Sequence, residues 1–420
     1  AASDVYKRQG YLNLAERSNT NPLAANLQAS AYDAASYTVA AATSNCATLT
    51  TYGAMPNSDS STFGADGSYK ICVKLTDNAA NPAAYGSTAS FSLKATLPAF
   101  VALPLANGAS DLYLNAAEKT QTLALGGSIQ ATAYDQVSYK LTQAGTTCDS
   151  ALTYSSMPLA TSSDFGTDGP YKICARVTDL AGNPAAYGSS ATFTLKTAQP
   201  TFVSLALAGD AADGYLNTAD TALGNDLAAN LVASSYDLAD YKVVTVGTLC
   251  NALLTYGSMP KGNSSDLSTD GSYKVCVRLR DLAANPIAYG SSASFVLKRA
   301  QPSFTSLPLA NSALDTYINA AERSLTSGLV GQVTGTNYDN ADYKLVGLAT
   351  ACDSSLSYGA IPQANTNDFG LDGSYKVCVR LTDLAGNPSA YGASPTFTLK
   401  TSQPTFSSID LINDAVDQYI

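Results

Sequence analysis

Short stretches of alternating apolar and polar residues recur along the chain, and turn-forming residues separate them about every ten positions. The clearest stretch is residues 273–280. Alternation with a period of two is typical of a β-strand with one buried face. We therefore predict a core face made of Tyr273, Val275, Val277 and Leu279, and an outer face made of Lys274, Cys276, Arg278 and Arg280. The cysteine is expected to point away from the core.

Residues 98–199 contain several such stretches and no sustained helical period. We predict strands at 100–105, 129–134, 138–142, 170–178 and 191–196, a short apolar run at 152–154 and a turn-rich segment at 108–115. Short strands with frequent turns are typical of a sandwich of about seven strands. The predicted fold class is therefore all-β, with immunoglobulin-like β-sandwich domains.

The chain is built from an internal repeat with a period of 102 residues. Cysteines at 46 and 72 recur at this spacing, and six tyrosines per copy do the same. The tyrosines of one copy are Tyr113, Tyr134, Tyr139, Tyr154, Tyr171 and Tyr187. A long repeat of constant length indicates tandem domains joined without insertions.

Prolines mark the predicted domain boundaries at Pro98, Pro200, Pro302 and Pro404. We predict four repeats, at 10–97, 98–199, 200–301 and 302–403; the first strand of repeat 1 is missing or divergent. Residues 1–9 are a non-repeat segment or scar, and 404–420 begin a fifth repeat. Proline restricts its own φ and the backbone conformation of the residue before it. We therefore expect short, stiff joints between the repeats.

Two cysteines per repeat, 26 residues apart, suggest disulfides within each repeat. The expected pairs are Cys46–Cys72, Cys148–Cys174, Cys250–Cys276 and Cys352–Cys378. Metal ligation is the weaker alternative, since the chain has no histidine and no CxxC spacing. Disulfides indicate an oxidising compartment.

The amino-acid composition excludes several classes of function. The net charge is −10, so the chain lacks the basic surface that nucleic-acid binding requires. The absence of histidine excludes Ser-His-Asp catalysis and the usual zinc sites. No run of 18 apolar residues exists, so we expect no membrane insertion in this segment.

Two motifs carry a resemblance to a known family. The sequence Thr-Asp-Leu-Ala-Gly-Asn-Pro at 382–388 follows an Asp-Gly-Ser-Tyr turn and a strand, and Tyr-Leu-Asn-Ala-Ala-Glu stands at 113–118. Together they resemble the bacterial immunoglobulin-like tandem repeats of large surface adhesins. The cysteines depart from that pattern, as does alanine in place of glycine at Ala80 and Ala284.

The resemblance implies a Ca²⁺ site near domain junctions, because similar adhesin repeats bind calcium there. Oxygen ligands suit that ion. The candidate ligands in this chain are Asp111, Asn115, Glu118, Asp168, Asp281 and Asn285. The alternative is structural, since Asp and Asn side chains commonly cap turns.

The expected function is a structural stalk or fibre segment of a large extracellular bacterial surface protein, and the chain is not expected to be an enzyme. Its main partners would be neighbouring repeats of the same chain. Two alternatives stay open. The repeats themselves bind a cell-surface glycan or protein, for which the tyrosines are candidates, or copies of the chain assemble laterally into a filament.

Overall fold

The computed structural model describes residues 10–410. The predicted non-repeat segment 1–9 lies outside the described residues, as does the part of the predicted fifth repeat beyond residue 410. The chain divides into two compact units. Unit 1 comprises residues 1–200 with the loop segment Arg280–Ile287, and unit 2 comprises Thr201–Leu279 with Ala288–Ile420.

Unit 1 contains repeats 1 and 2, which are built almost entirely from short strands. The strands of repeat 1 are β1 (Tyr11–Asn13), β2 (Ala34–Ala41), β3 (Gly67–Thr76), β4 (Ala84–Ser87) and β5 (Phe91–Lys94). Those of repeat 2 are β6 (Ala99–Ala102), β7 (Tyr113–Asn115), β8 (Gln130–Thr132), β9 (Gln136–Gln143), β10 (Gly169–Thr178), β11 (Ala186–Ser189) and β12 (Phe193–Lys196). The helical elements are α1 (Leu14–Arg17) and the 3-10 helices Cys46–Thr48, Asn107–Ala109 and Glu118–Thr120.

Unit 2 contains repeats 3 and 4. The strands of repeat 3 are β13 (Thr201–Leu207), β14 (Tyr215–Leu216), β15 (Ala228–Ser234), β16 (Leu238–Thr245), β17 (Gly271–Arg280) and β18 (Ala288–Leu297). Those of repeat 4 are β19 (Ser303–Ser306), β20 (Tyr317–Ile318), β21 (Thr334–Thr336), β22 (Asn340–Gly347), β23 (Gly373–Thr382), β24 (Ala390–Ala393) and β25 (Phe397–Leu399). The helical elements are α2 (Thr218–Leu223) and the 3-10 helices Gly209–Asp213, Asn311–Ala313 and Glu322–Ser324.

One sheet topology recurs in all four repeats. In repeat 2, β10 pairs with β9 along one edge and with β11 and β12 along the other, and β12 pairs in turn with β7. The small sheet β6–β8 forms the second layer. Neighbouring strands are antiparallel except that β7, an early strand, runs parallel to β12, the last one. The equivalent parallel pairs are β1–β5, β14–β18 and β20–β25. Two packed layers with this arrangement form an immunoglobulin-like sandwich.

Alternation along the long strand places the core as the sequence predicted. In β17, Tyr273 is 2% exposed, and Val275, Val277 and Leu279 are fully buried in one cluster with residues of both layers. Cys276 faces the other way but is also fully buried, because the loop that carries Cys250 covers it.

A tyrosine corner ties back the turn before each long strand. The hydroxyl of Tyr171 donates to the carbonyl of Thr167 at 2.8 Å, and that of Tyr273 donates to Thr269 at 2.7 Å. Tyr171 also packs edge-on against Phe165, with ring centroids 4.9 Å apart. Aromatic pairs at this separation stabilise a core beyond simple burial. A tyrosine that ties back the turn before a strand in this way is typical of immunoglobulin-like domains.

Several predicted elements differ from the observed ones. The turn-rich segment 108–115 ends in β7, and the apolar run 152–154 forms no strand. β11 was not predicted, because Ala-Tyr-Gly-Ser has no apolar alternation. Among the described residues, the helices have at most six residues, and none is long and apolar enough to span a bilayer.

Candidate functional site

A capping box follows the early parallel strand of each repeat. In repeat 2, the Asn115 N–H donates to Glu118 Oε2 at 3.0 Å, and the Glu118 N–H donates to Asn115 Oδ1 at 2.9 Å. Reciprocal bonds of this kind satisfy two backbone donors at the start of a helical turn. The same box joins Asn13 to Glu16, Asn217 to Asp220 and Asn319 to Glu322. It fixes the asparagine with its Nδ2 group left to serve another acceptor.

A second polar unit forms in the turn after each long strand. Asp281 Oδ1 accepts from the Asn285 N–H at 2.9 Å, and Asp281 Oδ2 accepts from Asn285 Nδ2 at 2.8 Å. Both side chains are buried, with 7% and 4% of their surface exposed. Because their hydrogen bonds are made inside the turn, the pair tolerates burial and holds the Asn285 amide in one orientation.

The capping box and the Asp281–Asn285 pair are in contact within unit 1. Asn115 Nδ2 donates to the carbonyl of Ala283 at 2.9 Å, and the Ala116 N–H donates to Asn285 Oδ1 at 3.1 Å. Asn285 Nδ2 also donates to the carbonyl of Lys196 at 2.7 Å. We call this set the amide clasp. It ties the cap and the last strand of repeat 2 to the turn 281–285.

The amide clasp recurs at the same 102-residue spacing. Unit 1 contains a second copy, in which Asn13 Nδ2 donates to Ala181 at 3.0 Å and Asn183 Nδ2 donates to Lys94 at 2.8 Å. In unit 2, Asn217 Nδ2 donates to Ala385 and Asn387 Nδ2 donates to Lys298, both at 2.7 Å. The same contact therefore links repeat 1 to repeat 2 and repeat 3 to repeat 4.

An ion pair accompanies the clasp. The Lys94 ammonium group binds Asp135 in unit 1, and Lys298 Nζ lies 2.6 Å from Asp339 Oδ2 in unit 2. Asp339 Oδ2 also accepts from the Leu384 N–H at 2.9 Å. The hydrogen bond from the lysine, followed by the one from the backbone, lowers the pKa of Asp135 and of Asp339. The carboxylates are thus held ionised at the clasp.

The candidate calcium ligands divide into two groups. Asn115, Glu118, Asp281 and Asn285 come together at the amide clasp. Asp111 and Asp168 do not join them. Asp111 accepts from the Tyr113 N–H, and Asp168 accepts from the N–H groups of Thr197 and Ala198.

Two features bear on a metal at the clasp. Within residues 10–410, no three or more Asp, Glu, His or Cys side chains are grouped as metal ligands. The oxygen atoms present at the clasp (carboxylate, amide and main-chain carbonyl) are of the type that Ca²⁺ prefers. The chemistry of the ligands therefore fits, while their observed bonds are to nitrogen donors of the protein.

Sequence reasoning missed the lysine and aspartate of the ion pair. Lys94 and Asp135 are 41 residues apart and belong to no motif. Their one signal is periodic, because Lys94 recurs at 196, 298 and 400, and Asp135 recurs at 33, 237 and 339.

The disulfides form a separate structural feature on the outer sheet face. The structure contains Cys46–Cys72, Cys148–Cys174, Cys250–Cys276 and Cys352–Cys378, each closing a separation of 26 residues. Each bond joins the loop that precedes the long strand to the outer face of that strand. No free cysteine occurs among the described residues.

Comparison with known proteins gives structural matches of low identity. No protein-family model and no characterised sequence relative matches the chain. A structure of protocadherin gammaB7 EC3-6 is 14% identical, with a TM-score of 0.30, over 93% of this chain and 97% of that one. A Ca²⁺-stabilised, ice-binding adhesin of an Antarctic bacterium is 19% identical, with a TM-score of 0.27, over 93% and 96%.

A third match is a 1.5-MDa bacterial ice-binding adhesin, 19% identical with a TM-score of 0.33, covering 73% of this chain and 98% of that one. The matched structures thus include bacterial adhesins and a protocadherin. Because these TM-scores are low, the fold assignment rests on the strand pairing described above.

Proposed function

We propose that this chain is a stalk segment of a large extracellular bacterial surface protein. In this proposal the amide clasp ties the cap of one repeat to a turn of the next, and the chain carries an adhesive part away from the cell. The observation that carries the proposal is the recurrence of the clasp at 102 residues in both units.

A non-catalytic, extracellular role is consistent with the rest of the molecule. A single active site is not expected in a chain of four near-equal copies, and the chain has no histidine to act as a base. Four disulfides suit an oxidising, extracellular environment.

Lateral assembly through sheet edges is less favoured than a stalk. Strand β9 lies at a sheet edge, and Tyr139 in it already forms a bridge with Ser155. Lys140, next to that bridge, pairs with Asp164 at 2.7 Å. Charged residues and covering loops on edge strands disfavour pairing with another chain. The same lysine–aspartate pair recurs at Lys242 and Lys344.

The clasp is tested by replacing Asn115 with aspartate. Asn115→Asp keeps an oxygen acceptor for the Glu118 N–H but turns the donor that faces the Ala283 carbonyl into a second acceptor. We expect a loss of about 1–3 kcal/mol of local stability. The altered clasp should give a wider distribution of dimensions in small-angle X-ray scattering.

Asn319→Asp is the matched control. Asn319 forms the same capping box with Glu322, and in the part of the chain that the structure describes its Nδ2 group reaches no carbonyl of a following repeat. The control should scatter like the unmodified chain. Equal broadening in both variants would point to the capping box and count against the clasp.

We also propose that Ca²⁺ binds at the clasp, where Glu118, Asp281 and main-chain carbonyls would supply the oxygen ligands. Scattering and thermal melting with Ca²⁺ and then with chelator test this second point. A higher Tm with Ca²⁺, abolished by Glu118→Gln, would support a metal-stiffened stalk. An unchanged Tm would leave the hydrogen bonds of the clasp as the link between repeats.

A further inference from the structure

Two tyrosine rings lie in contact on the outer sheet face of every repeat. One tyrosine comes from the loop after the first cysteine, and the other comes from the strand segment after the long strand. The four pairs are Tyr52–Tyr85, Tyr154–Tyr187, Tyr256–Tyr289 and Tyr358–Tyr391, with ring centroids 5.8–6.0 Å apart. This separation lies within the range of about 4.5–7 Å for aromatic pairs in contact.

Both members of a pair are held in place by the surrounding structure. Tyr187 lies directly opposite Arg176 in the ladder between β10 and β11, so its side chain is on the outer face. Tyr154 stands in the loop that the Cys148–Cys174 disulfide ties to the same face. Its hydroxyl donates to the carbonyl of Asp149 at 3.1 Å. The contact is therefore restrained from both sides.

We propose that each of these pairs is a site for oxidative cross-linking to dityrosine. A one-electron oxidant removes an electron and the phenolic proton from each tyrosine, and the two radicals join through a carbon–carbon bond between their ortho positions. The two ring hydrogens at that bond then move to the oxygens and restore both phenols. Overall, two electrons and two protons leave the pair, and hydrogen peroxide consumed by a haem peroxidase accepts them as it forms two molecules of water.

The geometry favours coupling within a pair over coupling between chains. Two radicals already in contact react at an effective concentration far above that of any second chain. Other tyrosines have different surroundings. Tyr171, for example, is 2% exposed and packs against Phe165 and Phe193, which carry no phenol.

The pair in repeat 1 is expected to react first. Tyr85 is 40% exposed, and the residue opposite it in the ladder is Lys74. In the other repeats an arginine guanidinium lies 5.1–5.5 Å above the loop tyrosine. The arginine cation is attracted to the π-electrons of the tyrosine ring. Removing an electron from the ring weakens this attraction, so the arginine opposes oxidation of the loop tyrosine.

The cross-link would add a second closure to a loop that already has a disulfide. Because a carbon–carbon bond resists thiol reductants, the loop would stay attached to the sheet after reduction of Cys148–Cys174. The proposal is independent of the stalk function and of the clasp, since it involves neither the capping boxes nor the turns that form the clasp.

The test treats the full chain with a haem peroxidase and hydrogen peroxide. We expect each linked pair to lose two hydrogen atoms in the intact mass, and dityrosine fluorescence to appear. After reduction and digestion, the peptide with Tyr154 should be joined to the peptide with Tyr187. Tyr154→Phe should abolish that link and leave those of the other repeats. Tyr113→Phe, which removes a tyrosine from β7, should abolish none.

Unfolded chain supplies the second comparison. The chain unfolded in urea after reduction and alkylation of its cysteines, oxidised in the same way, should yield at least about tenfold less of the Tyr154–Tyr187 peptide than the folded chain. Equal yields would overturn the proposal, because folded geometry would then have no part in the reaction. Links confined to other tyrosines, or formed between chains in place of the pair, would overturn it as well.

Discussion

Alanine at position 284 adopts a backbone conformation that normally belongs to glycine. Its φ is 58°, and Gly386, the same position of the next repeat, has a φ of 73°. The left-handed region costs a residue with a Cβ about 1–2 kcal/mol. The turn still forms around Ala284, since Asp281 and Asn285 hold it through buried hydrogen bonds.

Exchanging the two residue types should move stability in opposite directions. Ala284→Gly should stabilise its turn by up to about 1 kcal/mol, because relief of strain exceeds the extra entropy that glycine loses on folding. Gly386→Ala should destabilise its own turn by a similar amount. A Cβ there would lie 3.8 Å from Asn217 Nδ2, so the cost is conformational. Hydrogen exchange of the peptides that contain each turn measures both effects, and a loss of protection in Ala284→Gly would contradict the argument.

Among the elements, β11 depends on a glycine that an aromatic ring covers. A Cβ built on Gly188 would lie 2.0 Å from Cδ1 of Phe100. The same approach occurs between Gly290 and Phe202, and between Gly392 and Phe304. Each glycine lets the first strand of a repeat pack closely on its sheet.

Gly188→Ala should therefore destabilise repeat 2 by about 1–3 kcal/mol, as overpacking usually does. Gly86→Ala is the matched control, because the nearest atom there is Val73 Cγ1 at an ordinary 3.4 Å. Hydrogen exchange should show faster opening of β11 and β6 in the first variant and little change in the second. Combining Gly188→Ala with Phe100→Leu should restore part of the protection. Equal effects of the two alanine variants would exclude the ring contact as the cause.

The sequence predicted the strands that show alternation and missed those defined by pairing. The segments 138–142 and 170–178 fall within β9 and β10, where apolar side chains on one face enter the core. β7 and β11 are three and four residues long. They exist because β7 pairs with the distant strand β12 and β11 folds back on β10, and neither short segment has the apolar alternation that marks a strand.

The candidate site was predicted only in part, because some of its contacts join residues that are far apart in the sequence. The family resemblance selected Asn115, Glu118, Asp281 and Asn285, which the structure brings together. It gave no means of knowing that Asn115 meets Ala283, 168 residues away. Contacts between residues so far apart in the chain leave no local pattern in the sequence.

For the whole molecule, the absence of histidine predicts a wide pH range of constant stability. The pKa of Asp135 and of Asp339 is lowered from 3.8, first by the lysine hydrogen bond. Stability from these groups is present above that ordinary value and is lost as pH falls through the folded-state pKa. Burial, followed by a neighbouring tyrosine, raises the pKa of Tyr139 and Tyr154 from 10.0, so their contribution is lost at high pH.

Melting temperature measured across pH should thus form a plateau between about pH 5 and 9 and fall on both sides. Asp135→Asn removes the contribution that is present above the ordinary carboxyl pKa, so it should lower Tm on the plateau and at alkaline pH and make the acid-side fall of Tm shallower. A midpoint near pH 6.5 would require a group of ordinary histidine type and would contradict this account.

Parallel pairing between an early strand and the last strand of each repeat has a mechanical consequence. Tension along the chain enters ahead of β7 and leaves after β12, so it acts on the hydrogen bonds between them simultaneously, in shear. If that pair yields, the 26-residue separation between Cys148 and Cys174 stays closed. The closed disulfide loop prevents roughly 90 Å of chain from extending, at about 3.3–3.6 Å per residue. A pulled repeat would therefore lengthen in two stages, and the redox state of its surroundings would decide whether the second one occurs.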